Sequence, residues 1–156
     1  MDADIRILAV GPREFDLLLG MYDRFDPLGA ALGLPPRTAA VRRSWIGDAV
    51  RQKLNVAAFS PEGEIVGHCF LASGDSGSAE MAVFVRQDSR MRGIGTALVK
   101  RALKWACAAG LRRVWGVTSF DNRAALRLLW RCGLRAATVS SVIEMEVELS
   151  PCASRK

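Results

Sequence analysis

The sequence predicts an α/β fold: a central mixed, twisted sheet of about seven strands flanked by about four helices. Three observations carry it. Apolar residues recur with two periods, alternate positions in short runs and every third or fourth position in longer ones, in the order β-α-α-β-β-β-α-β-α-β-β. Gly and Pro punctuate the short connections between these runs. The stretch from Val83 to Ala97, VFVRQDSRMRGIGTA, passes from an apolar strand through a polar elbow into a glycine-rich turn that opens a helix.

Taken in order, Ile5 to Val10 reads as a strand closed by Gly11-Pro12. Pro12 then leads a helix over Glu14 to Arg24, with Phe15, Leu18, Leu19 and Tyr22 at helical spacing and Asp26-Pro27 ending it. Leu28 to Pro36 reads as a loop, and Thr38 caps a second helix reaching about Lys53. Leu54 to Phe59, Glu64 to Ala72 and Ala79 to Arg86 form a meander of strands, the first pair joined by the turn Ser60-Pro61-Glu62-Gly63. Ile94 to Ala109 is an amphipathic helix ended by Gly110, and Arg112 to Thr118 is a strand. Asn122 to Cys132 is a short helix stopped by Gly133, and Leu134 to Ser140 with Val142 to Leu149 make the closing strand pair.

A chain of 156 residues suits one domain, here residues 1–150, with 151–156 as a frayed tail. Half of the residues are apolar and about a quarter charged, and no apolar run approaches the roughly 20 residues that span a membrane. The start, MDADIRILAV, has no basic segment ahead of a long apolar one, so a cytoplasmic protein is expected. Four cysteines are scattered without a Cys-x-x-Cys pair or a histidine at ligand spacing; buried, reduced thiols and no metal are the expectation. The single histidine, His68, lies inside a strand and reads as a packed residue rather than a catalytic one. The net charge of +6 comes from dispersed arginines without aromatic interleaving, which argues for a solvated basic surface and against nucleic acid or a membrane as partner.

The turn Arg90-Met91-Arg92-Gly93-Ile94-Gly95-Thr96 has the makings of an anion site: unpaired amides at a helix start, the positive end of the helix dipole, glycines, and two arginine side chains. A triphosphate-binding loop needs Gly-Lys-Ser/Thr, and no lysine follows Gly93. A dinucleotide turn needs a third glycine where Leu98 stands, and its elbow is shorter than the one here.

What remains is the pyrophosphate of coenzyme A. At these residues the chain resembles the GNAT superfamily of acyl-CoA-dependent N-acetyltransferases, whose Gln/Arg-x-x-Gly-x-Gly/Ala signature corresponds to Arg90 to Gly95. A second motif agrees: Asn122-x-x-Ala125-x-x-Leu128-Leu129-x-x-x-Gly133 is similar to the family's later helix, and the order of elements matches over residues 5 to 149. The resemblance implies acetyl-CoA as acyl donor and an amine as acceptor, with room for a homodimer. Val83, Phe84 and Val85 would pair through their backbone with the pantetheine arm, Arg90 to Thr96 would hold the pyrophosphate, and Asn122 would cap its helix or touch the cofactor.

Transfer to an amine calls for a base, and Glu80 is the candidate: it enters a mostly apolar strand, which should raise its pKa, and shares the face of Ala82 and Phe84 opposite Met81, Val83 and Val85. Ala79-Glu80 resembles the pair at the catalytic glutamate of bacterial protein-lysine acetyltransferases. Many family members carry a tyrosine that protonates the leaving thiolate where this chain has Leu129, and the bacterial lysine acetyltransferases often read Leu-Leu there. Tyr22 and Ser119 are other hydroxyl candidates. Tyr22 to Asp26 and the loop 28–37 are the candidate acceptor-recognition segments, with Asp23 and Asp26 able to attract a cation or simply be solvated. A coenzyme A-binding regulatory module without turnover stays open beside the enzyme.

Overall fold

The computed structural model describes residues 4–28 and 34–152. Its strands are β1 (Arg6–Ala9), β2 (Leu54–Phe59), β3 (Ile65–Ser73), β4 (Ser78–Val85), β5 (Arg113–Thr118), β6 (Arg135–Val139) and β7 (Ile143–Glu148). Its helices are α1 (Phe15–Asp23), α2 (Ala39–Ala49), α3 (Ile94–Ala108) and α4 (Arg123–Arg131). The strands form one sheet in the order β1-β2-β3-β4-β5-β7-β6, antiparallel throughout except for the parallel pair β4 and β5. The mixed α/β architecture expected from the periodicities is therefore the one found. Part of the expected loop after α1, residues 29–33, lies outside the described residues.

Local chemistry explains the ends of the elements. A 3₁₀ turn at Pro12–Glu14 precedes α1, and the Gly11 amide donates to Glu14 Oε2 at 2.7 Å, so the carboxylate satisfies a donor at the entry. Helix α2 stops at Ala49, four residues before the Lys53 predicted from sequence. The cause is Asn55 on β2, whose Nδ2 donates to the Ala49 and Gln52 carbonyls at 2.9 and 2.8 Å and so supplies partners to the chain leaving the helix. Gly110 and Gly133 follow α3 and α4 with φ of 79° and 97°, the left-handed conformation that ends helices cheaply only at glycine.

Strands β2 and β3, at the middle of the core, are buried on both faces. On one face, Ile94, Leu98, Val99 and Ala102 of α3 and Leu129 of α4 pack against β2 to β5. On the other, Leu18, Tyr22 and Phe25 around α1 and Ile46 of α2 pack against Phe70 and Phe84. The period-2 reading of β4 holds: Phe84 joins the α1–α2 cluster, whereas Met81, Val83 and Val85 belong with α3. Helix α3 lies close on β3 because Gly67 has no Cβ; one built there would come within 2.9 Å of Leu98 Cδ1.

His68 is fully buried, as the sequence suggested, within a chain of hydrogen bonds. Asn55 gives both amide hydrogens to carbonyls, so its Oδ1 accepts from His68 Nε2 at 2.8 Å. His68 Nδ1 is then the acceptor for the Tyr22 hydroxyl at 2.7 Å. This tautomer satisfies every member without a charge. Burial holds the imidazole at a pKa of about 3. It also pushes the Tyr22 phenol well above its ordinary value, so Tyr22, a candidate proton donor from sequence, joins α1 to β3 instead.

The cysteines correct an expectation. Cys69 is a buried free thiol and Cys132 a half-buried one, but Cys107 and Cys152 form a disulfide. Cys107 stands in the last turn of α3, and the chain leaving β7 returns past it, bringing the two Cα atoms to 5.8 Å. Sequence spacing gave no hint because the pairing is made by the return of β7. The tail is accordingly fastened at Cys152, and residues 153–156 lie outside the described residues.

Two measurements check these features. His68 takes up a proton near pH 6.5 when unfolded but only near pH 3 when folded, so its stabilising contribution is complete above about 6.5 and is lost as the pH falls. By pH 5 the loss should be about 2 kcal/mol, and urea titrations at pH 7 and pH 5 should show a smaller fall for His68→Gln than for the parent; equal falls would assign the acid sensitivity elsewhere. Cys152→Ser opens a loop between residues 45 apart in sequence and should lower stability by about 2–4 kcal/mol in the absence of reductant. A thiol reductant should then destabilise the parent and leave the variant unchanged; the same drop in both would speak against the bond.

Candidate active site

The site begins where two neighbouring strands part. β4 pairs with β5 only at Ser78–Arg113, Ala79–Val114 and Glu80–Trp115. Beyond that, β4 continues along β3 to Val85 while β5 continues along β7 to Thr118. Met81 to Val85 and Gly116 to Thr118 therefore present strand edges in mid-sheet with no strand between them. Such edges carry backbone donors and acceptors that an extended, amide-bearing ligand can pair with. Val83, Phe84 and Val85, assigned to such contacts from sequence, lie on this opened edge. Gly116 lets the strands run close up to the parting: a Cβ there would sit 3.0 Å from the Met81 carbonyl oxygen.

At the far end of β4 the chain makes a 3₁₀ turn, Gln87–Ser89, and then enters α3 through Met91 and Gly93, both left-handed with φ of 60° and 78°. The first i to i−4 bond of α3 is Ala97 N–H to Gly93 O, 3.1 Å, so the amides of Ile94, Gly95 and Thr96 precede the helical ladder at its positive end. Ile94 buries its side chain in the core, so its amide is what it offers to an anion. Met91 extends into solvent at the tip of the turn, 92 % exposed.

Two residues of the turn also have structural duties that were not legible from the motif. Arg90 Nε and Nη2 donate to the carbonyls of Val85 and Asp26, each at 2.9 Å, and its guanidinium lies 5.4 Å from the centre of the Phe25 ring. It braces the elbow against the segment after α1. Gly95 is where α4 approaches: a Cβ on it would meet Leu128 Cδ2 at 2.9 Å and Val85 Cγ2 at 3.5 Å. Asn122 caps α4, its Oδ1 accepting the Ala125 amide at 3.1 Å. Arg92 is exposed on the same turn.

Glu80 occupies the last paired position before the strands part, exposed, on the face away from α3. Among the described residues it has no hydrogen-bond or ion-pair partner. Partial burial, and secondly the negative charge of Glu144, raise its pKa above the ordinary carboxylate value. Its cross-strand neighbour is Trp115, which in turn faces Glu146, with Glu144 two residues along β7. Arg113 closes the group: its Nη2 donates to Glu144 Oε1 at 2.7 Å, its Nε donates to Glu146 Oε2, and its guanidinium lies 5.8 Å from the centre of the Trp115 ring. These four residues were missed from sequence. The signal was the alternation in Glu144-Met145-Glu146-Val147-Glu148, which sets every carboxylate of that strand on one face.

The other sequence candidates are placed elsewhere. Asp23 Oδ1 accepts from Arg42 Nε and Nη2 at 3.0 and 2.8 Å, and Arg42 also caps the carbonyls of Pro36 and Arg37, so this acid ties α1 to α2. Leu129, at the position of the family's tyrosine, is 5 % exposed and packs in the α3–α4 core. Ser119 accepts the Asn122 amide through its carbonyl at the end of β5. No group of three or more potential metal ligands occurs among the described residues, and no helix there is long and apolar enough to cross a membrane.

Comparison with known proteins agrees with this geometry. The family model described as acetyltransferase (GNAT) family matches residues 24–134. The chain is 28 % identical over 142 residues to the L-methionine sulfoximine/L-methionine sulfone acetyltransferase of Pseudomonas aeruginosa, covering 85 % of this chain and 80 % of that one. The GNAT domain of S. lividans PAT superposes with a TM-score of 0.81 at 16 % identity, over 93 % of this chain and 90 % of that one. A phosphinothricin acetyltransferase from Sinorhizobium meliloti, solved with acetyl-CoA, superposes with a TM-score of 0.77 at 15 % identity, over 98 % and 92 %. A parted strand pair leading to a helix N-terminus, in a chain matched by this family model over most of its length, makes the protein a member of the GNAT family and an acetyl-CoA-dependent N-acetyltransferase.

Proposed function

We propose that the protein transfers an acetyl group to a primary amine by direct attack in a ternary complex, with Glu80 as general base. The observation that carries the reading is the place of Glu80: a carboxylate with a raised pKa and no bonded partner among the described residues, at the point where β4 and β5 part. From Glu80 to Val85, β4 advances roughly 17 Å at about 3.3 Å per residue, a span that suits an extended arm joining a thioester at one end to a pyrophosphate at the α3 N-terminus.

The chemistry follows from proton inventories. An alkylamine with a pKa near 10.4 is only about one part in a thousand neutral at pH 7.4. A carboxylate that accepts its proton, directly or through one water, restores the nucleophile. Attack on the thioester carbon then releases the thiolate. Leu129 has no proton to give, so the thiolate departs with assistance from the α4 N-terminus or from solvent. The Pseudomonas relative, by its name, acts on a small amino-acid-like amine, which supports a small-molecule acceptor. Ala79-Glu80 and Leu129, similar to bacterial lysine acetyltransferases, support a protein lysine. Screening L-methionine sulfone, polyamines and lysine peptides for thiol release from acetyl-CoA separates these.

Glu80→Gln should keep acetyl-CoA affinity and cut turnover on the best acceptor by roughly 10²-fold at neutral pH. Because the base works only when ionised, the acid limb of kcat/KM should lie above the ordinary carboxylate pKa and activity should decline as the pH falls through it. Undiminished turnover in the variant would remove Glu80 from the mechanism. Asn122→Ala should cost about 1 kcal/mol of stability by removing the cap of α4, and Asn122→Asp should recover it. If acetyl-CoA affinity falls in the alanine variant but not in the aspartate variant, the effect on cofactor runs through the helix end; a fall in both marks direct contact by the amide.

A further inference from the structure

We propose that Arg113 and Glu144 are positioning residues that govern the ionisation of Glu80, the guanidinium holding two neighbouring carboxylates so that Glu80 is left as the free one. The proposal rests on Glu80 serving as the base. Its ground is the layout of one sheet face across three strands. Glu80 on β4, Trp115 on β5 and Glu146 on β7 stand in one row, and Glu144 is two residues further along β7. Arg113 begins two residues before Trp115 on β5, opposite Glu148, yet its guanidinium ends on Glu144 and Glu146. It therefore runs along β5 toward the row that holds Glu80, flanking the Trp115 ring on the way.

The charges around Glu80 can be named element by element. On β3 its cross-strand partner is Ala72, which brings none. On β5 the neighbour is Trp115, with Arg113 on the same face. β7 brings Glu144 and Glu146, and Glu144 is the charge that acts on the Glu80 carboxyl. From the α1–α2 side, the acid Asp23 is already held by Arg42. Were Arg113 absent, two carboxylates would face Glu80 without a counter-charge, and Glu80 would hold its proton to higher pH. Were Glu144 absent, Glu80 would lose the repulsion that favours its protonated form and would ionise at lower pH.

Opposite directions from two neighbours are what a purely structural role would not produce. The test is a ¹³C-carboxyl NMR titration of glutamate-labelled protein, with the Glu80 resonance assigned by Glu80→Gln, at two salt concentrations. Glu144→Gln should lower the Glu80 midpoint and Arg113→Gln should raise it, each by roughly half a pH unit, with both shifts shrinking in high salt. Arg113→Lys, which keeps the charge without the fork, should stay close to the parent. The midpoints of remote glutamates such as Glu14 and Glu62 serve as the control for intact folding. Shifts in the same direction, or no shift in the Arg113→Lys and Glu144→Gln pair relative to each other, would overturn the proposal. Its failure is separable from that of the base assignment: the titration needs no acceptor, whereas the base assignment stands or falls on turnover of Glu80→Gln.

Discussion

Everything functional in this molecule depends on a sheet that stays whole while two of its central strands separate. β4 and β5 share only three residue pairs, yet each keeps its full set of bonds to its outer neighbour, β3 or β7. The opening is thus confined to one edge of each strand, and the lost ladder bonds amount to a few backbone groups that a ligand or water can satisfy. Bridging the gap falls to the helices. α3 packs over β2, β3 and β4, α4 packs against α3, and the bare Cα of Gly95 lets Leu128 close the contact.

The two faces of the sheet divide the labour. On the α1–α2 face, aromatic side chains and the Tyr22–His68–Asn55 chain lock α1 and the end of α2 to β2 and β3. This wall is neutral and fully bonded, and it has no proton to exchange near neutral pH. Arg42 fixes the two helices to each other through Asp23. The neighbouring region of the same face, over the start of β4, β5 and β7, carries Glu80, Glu144, Glu146 and Arg113 around the Trp115 ring. The contrast separates a rigid flank from a region where charge can change.

The fold was legible because its signals are local. Periodicity marked every strand and helix, and Gly93, Gly110 and Gly133 punctuated them where left-handed backbone is required. The stretch of the proposed site from Glu80 through Thr96 was legible as a strand, an elbow and a helix start for the same reason. What escaped is what the sheet assembles from distant segments: Asn55 ending α2, Asp23 bonded to Arg42, Cys107 bonded to Cys152, and Arg113 reaching Glu144 and Glu146. Each needs a register or a chain return that no window of sequence contains. Arg90 shows the limit from the other side: the motif placed it correctly at the turn, but its hold on Val85 and Asp26 comes from the packing of α1 against the elbow.

The carboxylates on β7 raise the question of why a sheet face should carry so many beside Glu80, the proposed base. Two like charges roughly 7 Å apart repel by about 0.6 kcal/mol in water and about 2 kcal/mol at an effective dielectric of 20. A field of that sign disfavours the ionised form of an exposed carboxyl, and several carboxylates acting together disfavour it further. The proposed role of Arg113 answers this, since its guanidinium is bonded to two of the three β7 carboxylates. It leaves part of the repulsion acting on Glu80, and the guanidinium bonds two carboxylates through separate N–H groups while keeping its charge. The layout is fixed by strand register, since Glu80 pairs with Trp115, and Arg113 and the β7 glutamates are locked in the two strands beyond it.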